Sequence, residues 1–364
     1  MKYEIISLQP HKVEGKTPFY HFKYLEQQNI VKMEYLEYSL HKQAVRILRG
    51  KEKSPLTRIF RNIYRITELL MTKGETLLIG AAAFSIFALI INRLKKRHNC
   101  IFYTSWPYWD DATFPKVMFH SLLKKSWRKF LNGTTCVIVT KYAFETLSSY
   151  GATCYWIPYA IDTEVLRPKV PRPFSEKTRV LFVGELLKLK GVHLIINIIK
   201  KYKWQDTVFW FVGRGRYERD IRDMQEQNYP VRYFGFVEDR NKMMSIMQDA
   251  DMLILPSIKM GEIIEEKFSI TLIEAMSCQL PVIASDCIGP RDTVQDGETG
   301  ILIPQNDEEA LKDAICKLIE SPELRYKLGV NGRKKAEKFY DVKEVTKKWL
   351  EVLERFNHTE QGFK

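Results

Sequence analysis

Short apolar runs alternate with amphipathic stretches along most of the chain. In the first half, runs with the length and side-chain branching of strands occur at 3–8, 30–35, 76–79, 100–105 and 135–140. Between them, the spacing of apolar residues predicts helices at 19–28, 81–97, 115–131 and 142–150. Strands that alternate with helices at this spacing predict parallel sheets with right-handed crossovers. We therefore expect an α/β protein.

The alternation is clearer in the second half, which follows a proline-rich stretch. Strands are predicted at 180–183, 207–212, 231–234, 252–255, 281–284 and 300–303, and two closing helices at 307–320 and 343–356. A chain of 364 residues exceeds the size at which single cores stop growing, so two domains are expected. We place these domains at 1–168 and 169–340. A C-terminal helix over 341–364 is expected to return toward the first domain.

Composition narrows the class of protein. Hydrophobic residues make up 45% of the chain, which indicates a folded globular protein. The six cysteines form no Cys-x-x-Cys pair, so we expect free thiols in a reducing compartment rather than a disulfide or zinc framework. The first residues, Met1 to Leu8, indicate a strand and not a secretory signal. A cytoplasmic location is the resulting expectation.

Positive charge is concentrated in the first half. Up to Thr178 the chain has 28 Lys and Arg against 14 Asp and Glu. Within this half, the helix predicted at 115–131 combines apolar spacing with an aromatic residue and cations: Lys124, Lys125, Trp127, Arg128 and Lys129. Such a helix is typical of an anionic membrane surface, and this interpretation is favoured. A plain solvated face is the second interpretation, and nucleic acid is not an expected partner.

One uncharged stretch, Leu77–Ile91, raises the question of a membrane span. It has fifteen residues, fewer than the roughly twenty that cross a bilayer. Gly80 interrupts it. We interpret it as a short strand that turns into a buried helix.

Two carboxylates, Glu266 and Glu274, stand eight positions apart in a segment that is predicted to run from a loop into a short helix. Backbone N–H groups at a helix start form an anion site, which the helix dipole strengthens. Amides that hold phosphate, with carboxylates that hold hydroxyl groups, would suit a nucleotide sugar. The alternative is an ordinary αβ unit with two surface glutamates.

Two glycine-containing turns follow predicted strands. The first, from Gly184 to Gly191, would place the Lys190 ammonium near a phosphate. The second is Gly213-Arg214-Gly215. A dinucleotide fingerprint needs a third glycine where this chain has Glu218, so NAD binding is disfavoured. We interpret the adjacent pair Asp110-Asp111 as a polar loop rather than a metal motif, and we expect no metal.

Together these segments resemble the retaining glycosyltransferases of family 4. The matching motifs are Ile157–Asp162, Tyr233–Val237, Leu255–Ser257, Glu266–Glu274 and Asp296–Gly300. The resemblance implies the GT-B fold, an α/β architecture in which two Rossmann-like domains face each other across a cleft. It also implies a nucleotide-sugar donor as substrate, no cofactor, and a glycan or lipid-linked saccharide as acceptor.

The resemblance assigns roles position by position. Lys190 would neutralise the donor's diphosphate and Glu266 would contact the transferring sugar, so these two are the catalytic candidates. Glu274 would hold the ribose hydroxyls. The amides of Phe268, Ser269 and Ile270 would lie near the phosphates, and the backbone of Phe236 and Val237 near the base. The remaining donor-binding positions are Gly184, Gly213 and Arg214.

The chain also departs from the family pattern. Glu185 stands where the family usually has Arg, although Arg214 or Arg216 could replace that cation. Ser269 and Ile288 replace glycines, and in the first domain Gly15 is the only candidate for the usual glycine-rich loop. The leading hypothesis is a metal-independent retaining glycosyltransferase, hexosyltransferase-like, at the cytoplasmic membrane face. A non-catalytic nucleotide-sugar binder or assembly subunit is the alternative, and an epimerase or phosphorylase is disfavoured.

Overall fold

The chain forms two α/β units, each built on one parallel sheet. A computed structural model describes residues 2–10, 20–39, 55–81, 83, 85, 87–110, 119–170, 176–261 and 264–361. The predicted Gly15 loop and the first residues of the helix predicted at 115–131 lie outside these ranges. The first unit contains residues 1–160 and 342–364, and the second contains 161–341.

The first unit contains a six-stranded parallel sheet of order β2-β1-β3-β4-β5-β6. Its strands are β1 (Tyr3–Gln9), β2 (Val31–Glu37), β3 (Thr76–Gly80), β4 (Asn99–Thr104), β5 (Thr135–Ile138) and β6 (Thr153–Trp156). The helices that connect them are α1 (Tyr20–Gln27), α2 (Pro55–Leu69), α3 (Ala88–Lys95), α4 (His120–Leu131) and α5 (Tyr142–Ser148). The connection from β1 to β2 runs in one direction along the sheet, and all later connections run in the other. Because crossovers share one hand, α1 covers one face and α2 to α5 cover the opposite face.

The second unit repeats this architecture with the strand order β12-β11-β10-β7-β8-β9. Its strands are β7 (Thr178–Val183), β8 (Thr207–Val212), β9 (Val231–Tyr233), β10 (Met252–Leu255), β11 (Val282–Ser285) and β12 (Ile301–Ile303). Its helices are α6 (Val192–Lys201), α7 (Glu218–Glu226), α8 (Arg240–Asp249), α9 (Ile270–Ser277), α10 (Ile288–Thr293), α11 (Glu308–Glu320) and α12 (Pro322–Tyr340). The central strands β7 and β10 are apolar over residues 180–183 and 252–255, as expected for a sheet covered on both faces.

The boundary between the units lies at 160/161, eight residues before the predicted one. Residues after 160 belong to the second unit because they bond to its last residues. The Ile161 N–H donates to the Tyr340 carbonyl at 2.9 Å, and the Thr163 hydroxyl donates to the Asp341 carboxylate at 2.6 Å. The C-terminal helix α13 (Val342–Gln361) belongs to the first unit, where its Trp349 stacks on His21 of α1 with ring centroids 5.2 Å apart.

Most predicted strands and helices are present. Three observed elements were not predicted: the apolar pattern did not reveal β6 or α12, and it left the segment that forms α2 unassigned. Helix α12 was missed because Gly329 and Gly332 interrupt a polar stretch. These glycines serve close packing: a Cβ on Gly329 would lie 2.3 Å from the Gln279 carbonyl oxygen, just beyond the end of α9. The helix predicted at 81–97 is shorter, since α3 begins at Ala88.

Trp127 corrects one of the predicted surface positions. It belongs to the core of the first unit and has no exposed surface, so its assignment to the membrane face is wrong. Its ring centroid lies 5.1 Å from that of Trp109 and 5.3 Å from that of Phe102, and its Nε1–H donates to the Ala83 carbonyl at 2.9 Å. The aromatic residue of α4 therefore packs on the sheet, while Lys125 and Lys129 are exposed on the other side of the helix.

We expect Trp127→Ala to destabilise the first unit by about 3–5 kcal/mol, because truncation leaves a large cavity and an unpaired carbonyl. Lys125→Ala, on the exposed side of the same helix, should change stability by no more than about 0.5 kcal/mol. Amide hydrogen exchange of β4 measures the stability of this unit separately from the other. Equal exchange rates in the two variants would contradict the buried position of Trp127.

Candidate active site

The candidate site lies where the strand order of the second unit reverses, between β7 and β10. Ligands of open α/β sheets bind at this point, beyond the carboxyl ends of the strands. The loops that follow the two strands are bonded to each other, since the Ile258 N–H donates to the Leu189 carbonyl at 2.9 Å. Gly191 has φ +71°, and a Cβ there would lie 1.8 Å from the Pro256 carbonyl oxygen. Only glycine permits this approach.

This contact brings Lys190 and Glu266 together. Lys190 ends a short 3₁₀ turn, Lys188–Lys190, and its ammonium donates to Oε2 of Glu266. The Ser257 hydroxyl donates to the same oxygen at 3.3 Å. The Glu266 side chain is 8% exposed and that of Lys190 is 22% exposed, so the pair is shielded from water on most sides. The two catalytic candidates, 76 positions apart in sequence, are direct partners.

The segment between Glu266 and α9 is held by the neighbouring helix α10. A Cβ on Gly289 would lie 2.5 Å from the Lys267 carbonyl carbon and 2.6 Å from the Phe268 nitrogen. Ser269 precedes α9 in an extended conformation, and its hydroxyl makes no capping hydrogen bond to the helix. The amides of Phe268, Ser269 and Ile270 are the ones predicted to face phosphate. They lie at the start of α9, where the N-cap residue Ser269 makes no side-chain capping bond.

Glu274 lies in the second turn of α9. Burial raises the pKa of its carboxyl above the ordinary value, and the charge of Arg240, the first residue of α8, opposes this shift. Arg240 follows the loop that begins after β9, so Glu274 faces the same side of the unit as that loop. Sequence reasoning missed Arg240, which belongs to no motif.

Arg214 and Phe236, in the loops that follow β8 and β9, stack on each other. Cζ of Arg214 lies 4.5 Å from the ring centroid of Phe236, and Phe236 is 57% exposed. The loops after β8 and β9 are joined by two hydrogen bonds, from the Gly213 N–H to the Gly235 carbonyl and from the Tyr233 hydroxyl to the Gly213 carbonyl, both at 2.9 Å. The predicted positions Gly213, Arg214 and Phe236 therefore form one surface.

Glu185 stands where the family usually has Arg, and its side chain is exposed just after β7. The adjoining loop is bonded to the one that carries Arg214, because the Leu186 N–H donates to the Arg214 carbonyl at 3.0 Å. Gly184, just after β7, donates its N–H to the Val212 carbonyl at 3.0 Å. Arg214 is thus placed beside the position where the family cation is missing.

A metal site and a membrane-spanning helix are both absent from the part of the chain that the structure describes. Within it, no three His, Cys, Asp or Glu side chains are grouped so that they could hold a metal ion, and the expected metal independence stays a prediction. Among the same residues, no helix combines the length and apolar character of a membrane span. All six cysteines are free thiols.

The sequence matches the family described as "Glycosyl transferases group 1" over residues 166–335. The uncharacterised glycosyltransferase MJ1178 of Methanocaldococcus jannaschii is 32% identical over 287 residues, which are 76% of this chain and 75% of that protein. The phosphatidyl-myo-inositol mannosyltransferase of Mycobacterium leprae is 31% identical, and the alignment covers 63% of this chain and 61% of that protein. The match to another relative, MJ1069, spans only 47% of its length.

Similarity of structure extends over both units. The crystal structure of Anabaena Alr3699/HepE in complex with UDP has a TM-score of 0.69 at 15% identity, and the alignment covers 97% of this chain and 100% of that one. This similarity and the two parallel sheets confirm the predicted α/β fold class, GT-B with two Rossmann-like units. The chain belongs to the group 1 glycosyltransferases.

Proposed function

We propose that this protein is a retaining glycosyltransferase that transfers a sugar from a nucleotide-sugar donor to a glycan or lipid-linked acceptor at a membrane surface. The observation that carries the proposal is the pairing of Lys190 with Glu266 beside the start of α9. A cation and helix-start amides suit a diphosphate, and a carboxylate suits sugar hydroxyls. The HepE crystal structure is a complex with UDP, which supports a nucleoside diphosphate as the leaving group.

The donor would extend along the carboxyl ends of the strands in the second unit. In this proposal the base stacks near Arg214 and Phe236, the ribose hydroxyls bond to Glu274, and the diphosphate meets Lys190 and the amides of 268–270. Glu266 contacts the sugar. The order follows that of the loops, since Arg214 and Phe236 lie after β8 and β9, while Lys190 lies after β7 at the centre of the sheet. The nucleotide sugar is a substrate, and we propose no separate cofactor or metal.

Transfer would break the bond between the anomeric carbon and the diphosphate oxygen while the acceptor oxygen bonds to the same face of that carbon. The acceptor proton passes to the leaving phosphate, so no protein nucleophile is needed. Negative charge therefore builds up on the diphosphate, where Lys190, Arg214 and the helix-start amides would stabilise it. Preorganised electrostatics of this kind often supplies the largest part of catalysis. In this mechanism Glu266 and Glu274 do not act as a glycosidase pair.

The first unit supports the membrane part of the proposal through the helix layer α2 to α5. Large apolar side chains are exposed along this layer: Phe60, Ile63, Tyr64, Met71, Leu89, Phe119, Leu122, Tyr142 and Phe144. Four of them lie on or just after α2, with Arg61 and Lys73 exposed beside them. Arg93 and Arg97 of the adjoining segment donate to the carbonyls of Leu70 and Met71 at 3.1 and 2.8 Å.

Exposed apolar side chains with cations around them are typical of a helix that lies on an anionic bilayer. On α4, Leu122 is exposed together with the predicted residues Lys125 and Lys129. Lys124 is half-buried, and the exposed Arg128 stacks on Tyr150 with Cζ 5.4 Å from the ring centroid. We therefore propose that the predicted face of α4 is one edge of a larger membrane-binding surface centred on α2.

Removing the Lys190 ammonium should lower the transfer rate. We expect Lys190→Ala to reduce kcat by about 10²- to 10³-fold, the usual effect of deleting one preorganised donor to a developing anion. Lys188→Ala, an exposed lysine in the same 3₁₀ turn, is the matched control and should stay near the wild-type rate. Candidate donors are first identified by a thermal-shift screen of nucleotide sugars, and product is then measured by mass spectrometry. A wild-type rate in Lys190→Ala would remove this residue from the mechanism.

The screen also separates the two functions that the sequence left open. Transfer of sugar to an acceptor, or hydrolysis of the donor, supports the enzyme. Saturable binding of a nucleotide sugar with neither transfer nor hydrolysis would instead support the non-catalytic binder or assembly subunit.

Glu274 should make nucleotide binding dependent on pH. Because burial raises its pKa, the carboxyl is protonated at a higher pH than an ordinary glutamate, and its charge-assisted bond to a hydroxyl weakens as pH falls through that range. Calorimetric titration with UDP and with GDP should show this loss. Glu274→Gln should bind more weakly with a flatter pH profile, whereas Glu298→Gln, at an exposed position, should behave as wild type.

The same shift has a consequence for folding. A carboxyl whose pKa is higher in the folded than in the unfolded state binds more protons when folded, so it lowers stability as pH rises through the two values. Glu274→Gln should therefore be at least as stable as wild type at neutral pH in urea denaturation. A less stable variant, with nucleotide affinity unchanged, would indicate a structural role for Glu274 instead.

Membrane binding should depend on the exposed face of α2. We expect flotation with vesicles of phosphatidylcholine and phosphatidylglycerol at low salt, and release at high salt, because cations attract the anionic lipid. The double variant Phe60→Ser/Tyr64→Ser should bind less, since apolar burial is lost, while Tyr326→Ser, an exposed aromatic of the second unit, should bind as wild type. Absence of flotation at low salt, or full binding by the double variant, would refute this surface.

A further inference from the structure

Glu265 directly precedes Glu266, but its carboxylate is bound to α10. The side chain is 4% exposed, and its Oε2 accepts a hydrogen bond from the Ile288 N–H at 2.9 Å. The next amide of the helix, that of Gly289, donates to the Glu266 carbonyl at 2.9 Å. Two consecutive residues of the candidate site therefore hold the first two amides of α10.

Helix α10 has no cap from its own N-cap residue. Cys287 occupies that position and makes no side-chain capping bond, because its thiol donates to the Ser257 carbonyl at 3.4 Å. A carboxylate at the N-cap position normally accepts a hydrogen bond from a backbone amide in the first turn of the helix. Glu265 supplies the carboxylate from a different segment of the chain, so the cap is also a tether between that segment and α10.

The groups that face the Glu265 carboxylate are mostly cationic. Nζ of Lys259 lies 3.7 Å from Oε1. Burial lowers the pKa of the nearby Lys267 ammonium to about 8, and the charge of Glu265 opposes this shift. The side-chain bond to Asp286 raises the pKa of the Arg291 guanidinium, and the charge of Glu265 adds to this shift. A carboxylate that is ionised forms shorter and stronger hydrogen bonds than a neutral group, so the bond from Ile288 to Glu265 is a strong tether.

The tethered segment has little freedom to move in other ways. Gly289 is packed so closely on Lys267 and Phe268 that no Cβ would fit between them. A rearrangement at the start of α10 is therefore transmitted to the backbone beside Glu266. Glu274 is different, because its helix α9 packs into the core through Leu272, Ile273 and Met276. Loss of the tether should disturb the sugar end of the site and spare the nucleotide end.

We propose that Glu265 is a positioning residue for the transfer reaction: its buried carboxylate caps α10 and so holds Glu266 in place against Lys190. The residue does not touch the donor. The inference rests on the proposed glycosyltransferase function, and it assigns a role to a position outside the segment from Glu266 to Glu274.

The test compares Glu265→Ala with Glu265→Gln in the full chain. Glu265→Ala should lower kcat by about 10- to 100-fold, since a displacement of about 1 Å in a reacting group can have that effect. The Kd for UDP, or for GDP if that is the nucleotide bound, should change less than kcat does, because the contacts of the base and ribose with Arg214, Phe236 and Glu274 are spared. Glu265→Gln keeps an oxygen that accepts the Ile288 N–H and should recover most of the rate. Glu298→Ala, at an exposed carboxylate of the same unit, is the control.

Hydrogen exchange adds a readout that does not depend on turnover. In Glu265→Ala, the amides of Ile288 and Gly289 should exchange faster than in wild type, and in Glu265→Gln they should stay protected. A wild-type kcat in Glu265→Ala, or equal losses of kcat and UDP affinity, would overturn the positioning role while leaving the glycosyltransferase proposal intact. Absence of transfer by the wild-type protein with every nucleotide sugar would refute that proposal, and this one with it.

Discussion

The candidate site depends on the contact between the loops that follow β7 and β10. These strands are neighbours in the sheet, although they are far apart in sequence. The hydrogen bond between Ile258 and Leu189 and the close approach of Gly191 to Pro256 join their loops. Without this contact, Lys190 and Glu266 would have no reason to be adjacent. The topology of the parallel sheet therefore decides where charged groups can meet.

Around this contact the protein keeps several charged groups largely out of water. A buried charge is costly unless it is paired and hydrogen-bonded. Each buried carboxylate of the pair 265–266 has such partners: Glu266 bonds to Lys190 and Ser257, and Glu265 bonds to Ile288 and faces Lys259. Groups held in this way have little freedom of orientation, which is the property that a site for a diphosphate and a sugar requires. The same packing explains why glycine is needed at Gly289.

The first unit shows how a helix divides its residues between core and surface. On α4, Trp127 and Lys125 are two positions apart and lie on opposite sides, because successive residues turn by about 100° around the helix axis. A sequence in which aromatic and basic residues are mixed can therefore belong to a core stripe and a solvated face at once. The exposed apolar side chains of the unit become one surface only because the sheet places α2 to α5 on the same face.

The sequence by itself determined the α/β class and most strands, and it proposed the motif residues of the site, since periodicity and turn chemistry are local properties. It did not identify α12, because the glycines of this helix are needed only for its close packing on the turn after α9. It also did not reveal the role of Glu265, whose partner Ile288 is 23 positions away. It also assigned Trp127 to the surface, because local composition does not reveal which side of a helix the sheet covers. Tertiary structure decided these points, since burial, caps from another segment and close backbone approach depend on which distant residues become neighbours.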